Sequence, residues 1–256
     1  MVFLDGGREK QIVRDGDMVR RPCGPWTKNI HNLLHSVRSQ GFLKVPEPHS
    51  IDGNGCEILS YIHGEVSNYP LSDSASSVEA LRSAAILLRE FHDSTISYLK
   101  TMMGNEKWWL PAREPSEVIC HGDYAPYNVV LHGKEAIGII DFDTAHPGPR
   151  VWDISYALYR WVPLMNPNNH NGFGNEESKI ERIKIFCDAY GLLDSDKSLL
   201  ISTLIERLQI LVKFMISEAE SGNDSFKANI ADGHHLLYLA DVDYLKKQEN
   251  YYQKHL

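Results

Sequence analysis

Between Gln11 and Arg21 the side chains alternate around Asp15-Gly16-Asp17, with Ile12 and Val13 before the turn and Met18 and Val19 after it. Alternation about an Asp-Gly step predicts a β-hairpin. Pro22, Gly24 and Pro25 stop the second strand, and from Thr27 the period changes, because Ile30, Leu33, Leu34 and Val37 recur at three and four. That spacing predicts an amphipathic helix over 27–40, closed by Gly41. Residues 57–62 read as another strand, ended by His63-Gly64. Residues 1–65 are therefore expected to form a small lobe of strands around one helix.

A Ser-rich stretch at 71–77 follows, and Ser76 with Glu79 three residues on reads as a capping box opening an apolar helix that reaches about His92. This change of composition predicts a lobe boundary, with 66–256 as the larger lobe. Short β-rich runs occupy 118–120, 129–131 and 136–140, the last two joined as a hairpin through His132-Gly133-Lys134-Glu135. Beyond Asp153 the pattern is mainly helical, with segments at 179–190, 197–217 and 230–247. The Asn-rich stretch 166–175 fits either a solvated connection or a substrate loop. The expected class is α+β.

Composition narrows the function. The chain has 256 residues, 43% of them hydrophobic, which is enough for one large core or two modest lobes, and no repeat is visible. Twenty-six basic side chains against 34 acidic ones leave a net charge of −8, so nucleic acid is not an expected partner. No apolar run is long enough for a membrane span, since even 199–216 carries Glu206, Arg207 and Lys213. MVFLDGGREK lacks the form of a signal peptide, and a cytoplasmic protein is expected. Cys23, Cys56, Cys120 and Cys187 are scattered, as reduced thiols would be.

The chemistry concentrates in 120–153, CHGDYAPYNVVLHGKEAIGIIDFDTAHPGPRVWD. His121-Gly122-Asp123 is followed after four residues by Asn128 and, at the end of an apolar strand, by Asp141. Two carboxylates and a carboxamide are thereby set on loops flanking a small hairpin. A hard cation such as Mg2+ takes oxygen ligands, often only one or two from protein, and Asn128 and Asp141 meet that demand. Asp123, in the adjoining loop, is placed to orient a hydroxyl and accept its proton. This constellation predicts phosphoryl transfer.

His121-Gly122-Asp123-x4-Asn128, with Pro126 between, and Ile140-Asp141-Phe142-Asp143 resemble the signature of aminoglycoside phosphotransferases and their choline and homoserine kinase relatives. Val151-Trp152-Asp153-Ile154 resembles the later helix start of that family. The resemblance implies a bilobal protein-kinase-like fold with a β-rich N-lobe and a mainly helical C-lobe. It also implies Asp123 as the catalytic base, Asn128 and Asp141 on Mg2+, Asp143 as a candidate second ligand, and ATP or GTP as co-substrate. His121 and Asp153 are expected to shape the catalytic loop.

The nucleotide-clamping half departs from the family. Gly6 and Gly7 are the only candidates for a turn over the phosphates. The usual strand lysine is replaced by Arg20-Arg21, of which strand alternation admits one to the cleft, and Arg21 is the favoured one. The acid expected on the following helix is absent, and His31 and His35 stand in its region. The resemblance implies that the hinge reading the base falls on Ser60, Tyr61 and Ile62. Val19–Thr27 also resembles a stretch in a bacterial subgroup labelled as immunity to a peptide toxin, trifolitoxin.

For the acceptor, a small molecule bearing a hydroxyl, the resemblance implies an aminoglycoside-like or other amino-bearing compound. Glu176, Glu177, Asp188, Asp241 and Asp243 either line a cleft for such a cation or are solvated helix faces, and the second reading is the plainer. Trp152, Tyr156, Tyr159 and Trp161 form an aromatic group, chiefly core, that can stack on a ligand. Two other functions compete: a degenerate kinase-like binding or immunity protein, and a metal-dependent phosphohydrolase.

Overall fold

The computed structural model describes residues 2–4, 12–169 and 171–256. Gly6 and Gly7, and with them the expected phosphate turn, lie outside the described residues.

Three strands, β1 (Val2–Phe3), β2 (Val13–Asp15) and β3 (Met18–Pro22), precede helix α1 (Thr27–Ser39), and β4 (Pro48–Ile51) and β5 (Cys56–Ser60) follow it. They form one antiparallel sheet in the order β1-β2-β3-β5-β4. The expected hairpin is present, with Asp15 opposite Met18 across Gly16-Asp17. Residues 48–51 were not expected as a strand; with Pro48 first and three exposed residues after it, β4 is an edge strand with weak patterning.

A short helix, α2 (Asp73–Ser76), separates this sheet from α3 (Val78–Thr101). The Ser77 side chain caps α3 by accepting the Ala80 N–H, one residue later than the capping box expected at Ser76. The helix also runs past His92 to Thr101, because the buried stripe through Leu88 and Phe91 continues into His92, Thr95 and Tyr98. Polar residues on a buried face hide the period from a reading of hydrophobicity.

Next come β6 (Val118–Cys120), the hairpin β7 (Val129–His132) and β8 (Glu135–Ile139), and β9 (His146–Gly148), which pairs with β6. The Pro and Gly of β9 gave no strand signal. Helices α4 (Arg150–Trp161), α5 (Glu176–Tyr190), α6 (Asp194–Lys197), α7 (Leu200–Glu220), α8 (Asp224–Ala231) and α9 (His234–His255) complete the described chain. The single helix expected over 230–247 is two, because Gly233 adopts a left-handed backbone between α8 and α9.

The large apolar core joins the two halves, running from Ile30, Leu33 and Leu34 of α1 through Leu88 and Phe91 of α3 to Leu204, Leu208 and Leu245. Where the chain leaves β5, Glu65 and Leu131 exchange backbone hydrogen bonds at 2.9 and 2.7 Å. Gly64 is needed there: at φ +154°, a Cβ on it would stand 2.5 Å from Val130 Cγ1 and 2.6 Å from the Leu131 carbonyl. The strap between the lobes is thus pressed on β7, which ties it to the 120–153 segment. No described helix is long and apolar enough to cross a membrane.

Candidate active site

The loop after β6 is built around Asp153, which lies in the first turn of α4 with no exposed surface. Its carboxylate accepts the His121 N–H at 2.6 Å, the Gly122 N–H at 2.9 Å and His92 Nε2–H at 3.0 Å. Burial would raise the carboxyl, but these hydrogen bonds outweigh it and bring Asp153 down to about 2. His92 is itself held down by burial and stays neutral, taking the Tyr190 hydroxyl on Nδ1 at 2.7 Å. Gly122 has φ +82°, and a Cβ there would stand 2.3 Å from the Thr144 carbonyl. His121 completes the frame by donating from Nε2 to the Ile140 carbonyl at 2.9 Å, which ties this loop to the one carrying Asp141.

Because the folded carboxyl is depressed, Asp153 contributes stability that is fully present above about pH 4 and lost as pH falls toward 2. Asp153→Ala strands three buried donors and is expected to cost about 3–5 kcal/mol, or on the order of 10 °C in Tm at neutral pH. Asp153→Asn is expected to flatten the pH dependence of stability between about pH 4 and pH 2. Thermal unfolding at several pH values measures both.

Asp123, partly buried, accepts the Tyr127 hydroxyl at 2.8 Å on one oxygen and the Asn128 amide at 3.0 Å on the other. Burial pushes its carboxyl up, against the opposing pull of Tyr127 and Arg160. Asp141 follows β8 with φ +60°, a left-handed conformation that a short polar residue tolerates. Its carboxylate is half exposed at the cleft.

Arg21, the favoured member of the arginine pair, is buried and points inward, whereas Arg20 turns out to Asp52 at 2.7 Å. Three carboxylates hold the Arg21 guanidinium: Glu57 at 2.7 Å, Asp141 at 2.7 Å and Asp143 at 3.0 Å. Burial alone would lower its pKa, but Asp143, Asp141 and Glu57 together raise it. Glu57, absent from the sequence-derived site, supplies the acid that α1 lacks. It lies directly opposite Arg21 in the β3–β5 register, and its second oxygen meets His31 Nε2 at 2.7 Å. His31 thus links α1 to the pair, while His35 is exposed, so the two histidines do not converge on a metal.

A cavity of about 280 Å3 lies between the lobes, with Val19 and Leu59 on one side, Val130 and Ile140 on the other, and Arg21, Asn128 and Asp141 at one end. Tyr61 and Ile62 of the expected hinge line it. Ser60 does not: its N–H donates to the Glu47 carbonyl at 2.9 Å and its Oγ accepts the Glu47 N–H at 2.8 Å. The Tyr61 N–H is likewise bound to the Asp17 carbonyl, at 2.7 Å. Asp143 faces Arg21 and is buried, outside the cavity wall.

A second cavity of about 220 Å3 begins on the other side of Asp123. Tyr127 borders both cavities, so Asp123, Tyr127 and Asn128 form their junction. Trp152 and Tyr156 line the second cavity, while Tyr159 and Trp161 pack in the core. One wall is Trp109, whose ring stacks on Trp26 at 4.4 Å and 3° and meets Phe214 and Phe226 edge-on. None of Glu176, Glu177, Asp188, Asp241 or Asp243 is there. Asp241 is buried against Tyr159, Asn166 and Asn169; Glu176 binds Lys179, Tyr244 and Tyr252; the other three are exposed.

Among the described residues no group of three or more His, Cys, Asp or Glu is arranged to hold a metal ion. Asn128 and Asp141 line the same cavity and carry the oxygen donors that a hard cation takes alongside phosphates and water.

Residues 99–179 match the model of the phosphotransferase enzyme family, APH. The chain is 29% identical over 213 residues to the trifolitoxin immunity protein of Rhizobium leguminosarum bv. trifolii, covering 80% of this chain and 79% of that protein. An amicoumacin kinase solved in complex with AMP-PNP and Ca2+ superposes with a TM-score of 0.60 at 13% identity, over 88% of this chain and 89% of that one. A choline/ethanolamine kinase family protein from Mesorhizobium loti gives a TM-score of 0.58 at 15% identity, over 95% of this chain and 89% of that one. The fold is protein-kinase-like and α+β, and the resemblance to aminoglycoside phosphotransferases and choline kinases read from 120–153 holds.

Proposed function

We propose that the protein is a small-molecule kinase that moves the γ-phosphoryl group of ATP or GTP to a hydroxyl. One observation carries this reading: Asp123 stands at the junction of two cavities, with Asn128 and Asp141 on the nucleotide side and open space for an acceptor on the other. In the transfer, the acceptor oxygen forms a bond to the γ-phosphorus as the bond to the bridging β–γ oxygen breaks, and the nucleoside diphosphate leaves. The hydroxyl proton passes to Asp123, whose burial raises its affinity for that proton. Tyr127 and Asn128 fix the carboxylate in place. Mg2+ bound by Asn128 and Asp141 would offset phosphate charge. Among the described residues that line the cavity Arg21 is the one cation, and it takes the part of the missing lysine. Ile62, rather than Ser60 or Tyr61, offers the hinge N–H for the base, since the other two are already bonded within the sheet.

A second reading, ligand binding without catalysis, draws on the three carboxylates that hold Arg21 and on the name of the trifolitoxin immunity relative. Calorimetry separates the two. Because two protein oxygens are too few to retain Mg2+ alone, the ion by itself is expected to give no heat. Omitting it is expected to weaken ATP or GTP binding by at least about tenfold. Nucleotide binding indifferent to Mg2+, or no phosphorylated product from any hydroxyl compound, would favour the second reading.

A further inference from the structure

The cavity beyond Asp123 has the wrong sign for a polycation. Among the described residues that line it, Asp123 is the sole carboxylate, while Arg113 and Arg207 both contribute guanidinium groups. His146 is held neutral, since burial brings it down to about 4. With Asp123 engaged in chemistry, the remaining formal charge is positive, in a chain whose net charge is −8.

Arg207 is the telling residue. It is 4% exposed on α7, yet it makes no ion pair among the described residues. One nitrogen donates to the Gly122 carbonyl at 2.5 Å, and Nε has no partner. The rest of the group lies over Tyr156 at 4.8 Å and Trp152 at 5.4 Å, and Arg113 lies over the same indole at 4.7 Å. A buried guanidinium normally has a carboxylate or phosphate to fill its fork. Here no described residue supplies one, and Arg207 is part of the cavity lining.

Resting on the phosphotransferase reading, we propose that the acceptor is a hydroxy acid with a flat apolar body. Its carboxylate would seat on Arg207 beside Arg113, its body against Trp152, Tyr156 and Trp109, and its hydroxyl at Asp123. The hydrogen bond to Gly122 would give Arg207 a second part, steadying the loop that carries Asp123.

Three ligands with one shape test this: 4-(hydroxymethyl)benzoate, the neutral 1,4-benzenedimethanol and the cationic 4-(aminomethyl)benzyl alcohol, each titrated into the full chain up to millimolar concentration. The carboxylate is expected to bind at least about tenfold more tightly than the amine, as one desolvated charge contact allows. Arg207→Gln can still hold the Gly122 carbonyl, and is expected to abolish that preference while the neutral diol stays within about threefold, an outcome that loop support alone would not give. Should Arg207→Gln not fold, Arg113→Gln is expected to lower the preference, and the order of the three ligands on the unaltered chain stands as the decisive measurement. Equal or tighter binding of the amine, or no binding by any of the three, overturns the proposal. The readout needs no turnover, so a chain that prefers the carboxylate but ignores nucleotide would sink the kinase reading alone.

Discussion

Asp123→Asn is expected to lower turnover by about 10^2- to 10^4-fold while magnesium-nucleotide affinity stays within about threefold. The split follows from placement. Asp123 borders the cavity proposed for the acceptor, whereas the one proposed for the nucleotide is bounded by Asn128, Asp141 and the apolar strand faces. An amide in the same position can keep the Tyr127 hydroxyl as a donor, but it gives up the oxygen that accepts the Asn128 amide and the capacity to take up a proton. In the unaltered protein the rate is expected to rise with pH as Asp123 deprotonates. Burial places that rise above the usual carboxylate range near 3.8. The variant's residual rate should lack this acid limb. Single-turnover kinetics across pH, beside a nucleotide titration, checks both parts, and unchanged turnover would remove Asp123 from the mechanism.

Arg21→Ala is expected to be the most destabilising single change in the small lobe. It would take from buried Glu57 and Asp143 the guanidinium that both face, with Asp141 close by, at a cost of about 3–5 kcal/mol, or on the order of 10 °C in Tm. The loss belongs mainly to the buried acids left facing one another rather than to the attraction itself. The double variant Arg21→Met/Glu57→Gln should therefore recover a substantial share of Tm, with a coupling of about 1–3 kcal/mol in a double-mutant cycle. Phosphate anchoring should not recover, because methionine restores volume and no charge. Arg21→Lys keeps the charge but meets one carboxylate well where arginine meets three, and should fall between. A double variant no more stable than Arg21→Ala would show that Glu57 depends on His31 instead.

The parts of the site that lie close together in sequence were legible from it. The catalytic loop, the Asn128 position and the strand end at Asp141 fall within one stretch, and alternation sufficed to prefer Arg21 over Arg20. Glu57 was not legible, because its part depends on β5 pairing with β3 in a register that sets Glu57 opposite Arg21. An acid opening the apolar run Ile58-Leu59 was the available hint. Arg207 was legible in principle: Leu200, Leu204, Leu208, Leu211 and Met215 share one helical stripe, and position 207 falls within it. A cation on the buried face needs a reason, yet the residue entered the reading only as an interruption of an apolar run. The acidic residues of the helical lobe show the converse. Asp241 and Glu176 suggested a cationic ligand by type alone, and their partners proved to be tyrosines, asparagines and a lysine of the same lobe. Helix ends were misplaced where capping was shifted by one residue, at Ser77, or where one glycine divided a continuous pattern, at Gly233.

The indole of Trp26, at the head of α1, rests face to face on that of Trp109, which is also a wall of the cavity proposed for the acceptor. Parting the two lobes therefore unstacks an aromatic pair, at about 0.5–1.5 kcal/mol beyond the burial involved, and frees a wall of the neighbouring chamber. On the proposed reading, a nucleotide that holds the lobes together would keep that wall in place, and linkage would then make a bound acceptor favour the nucleotide by the same factor.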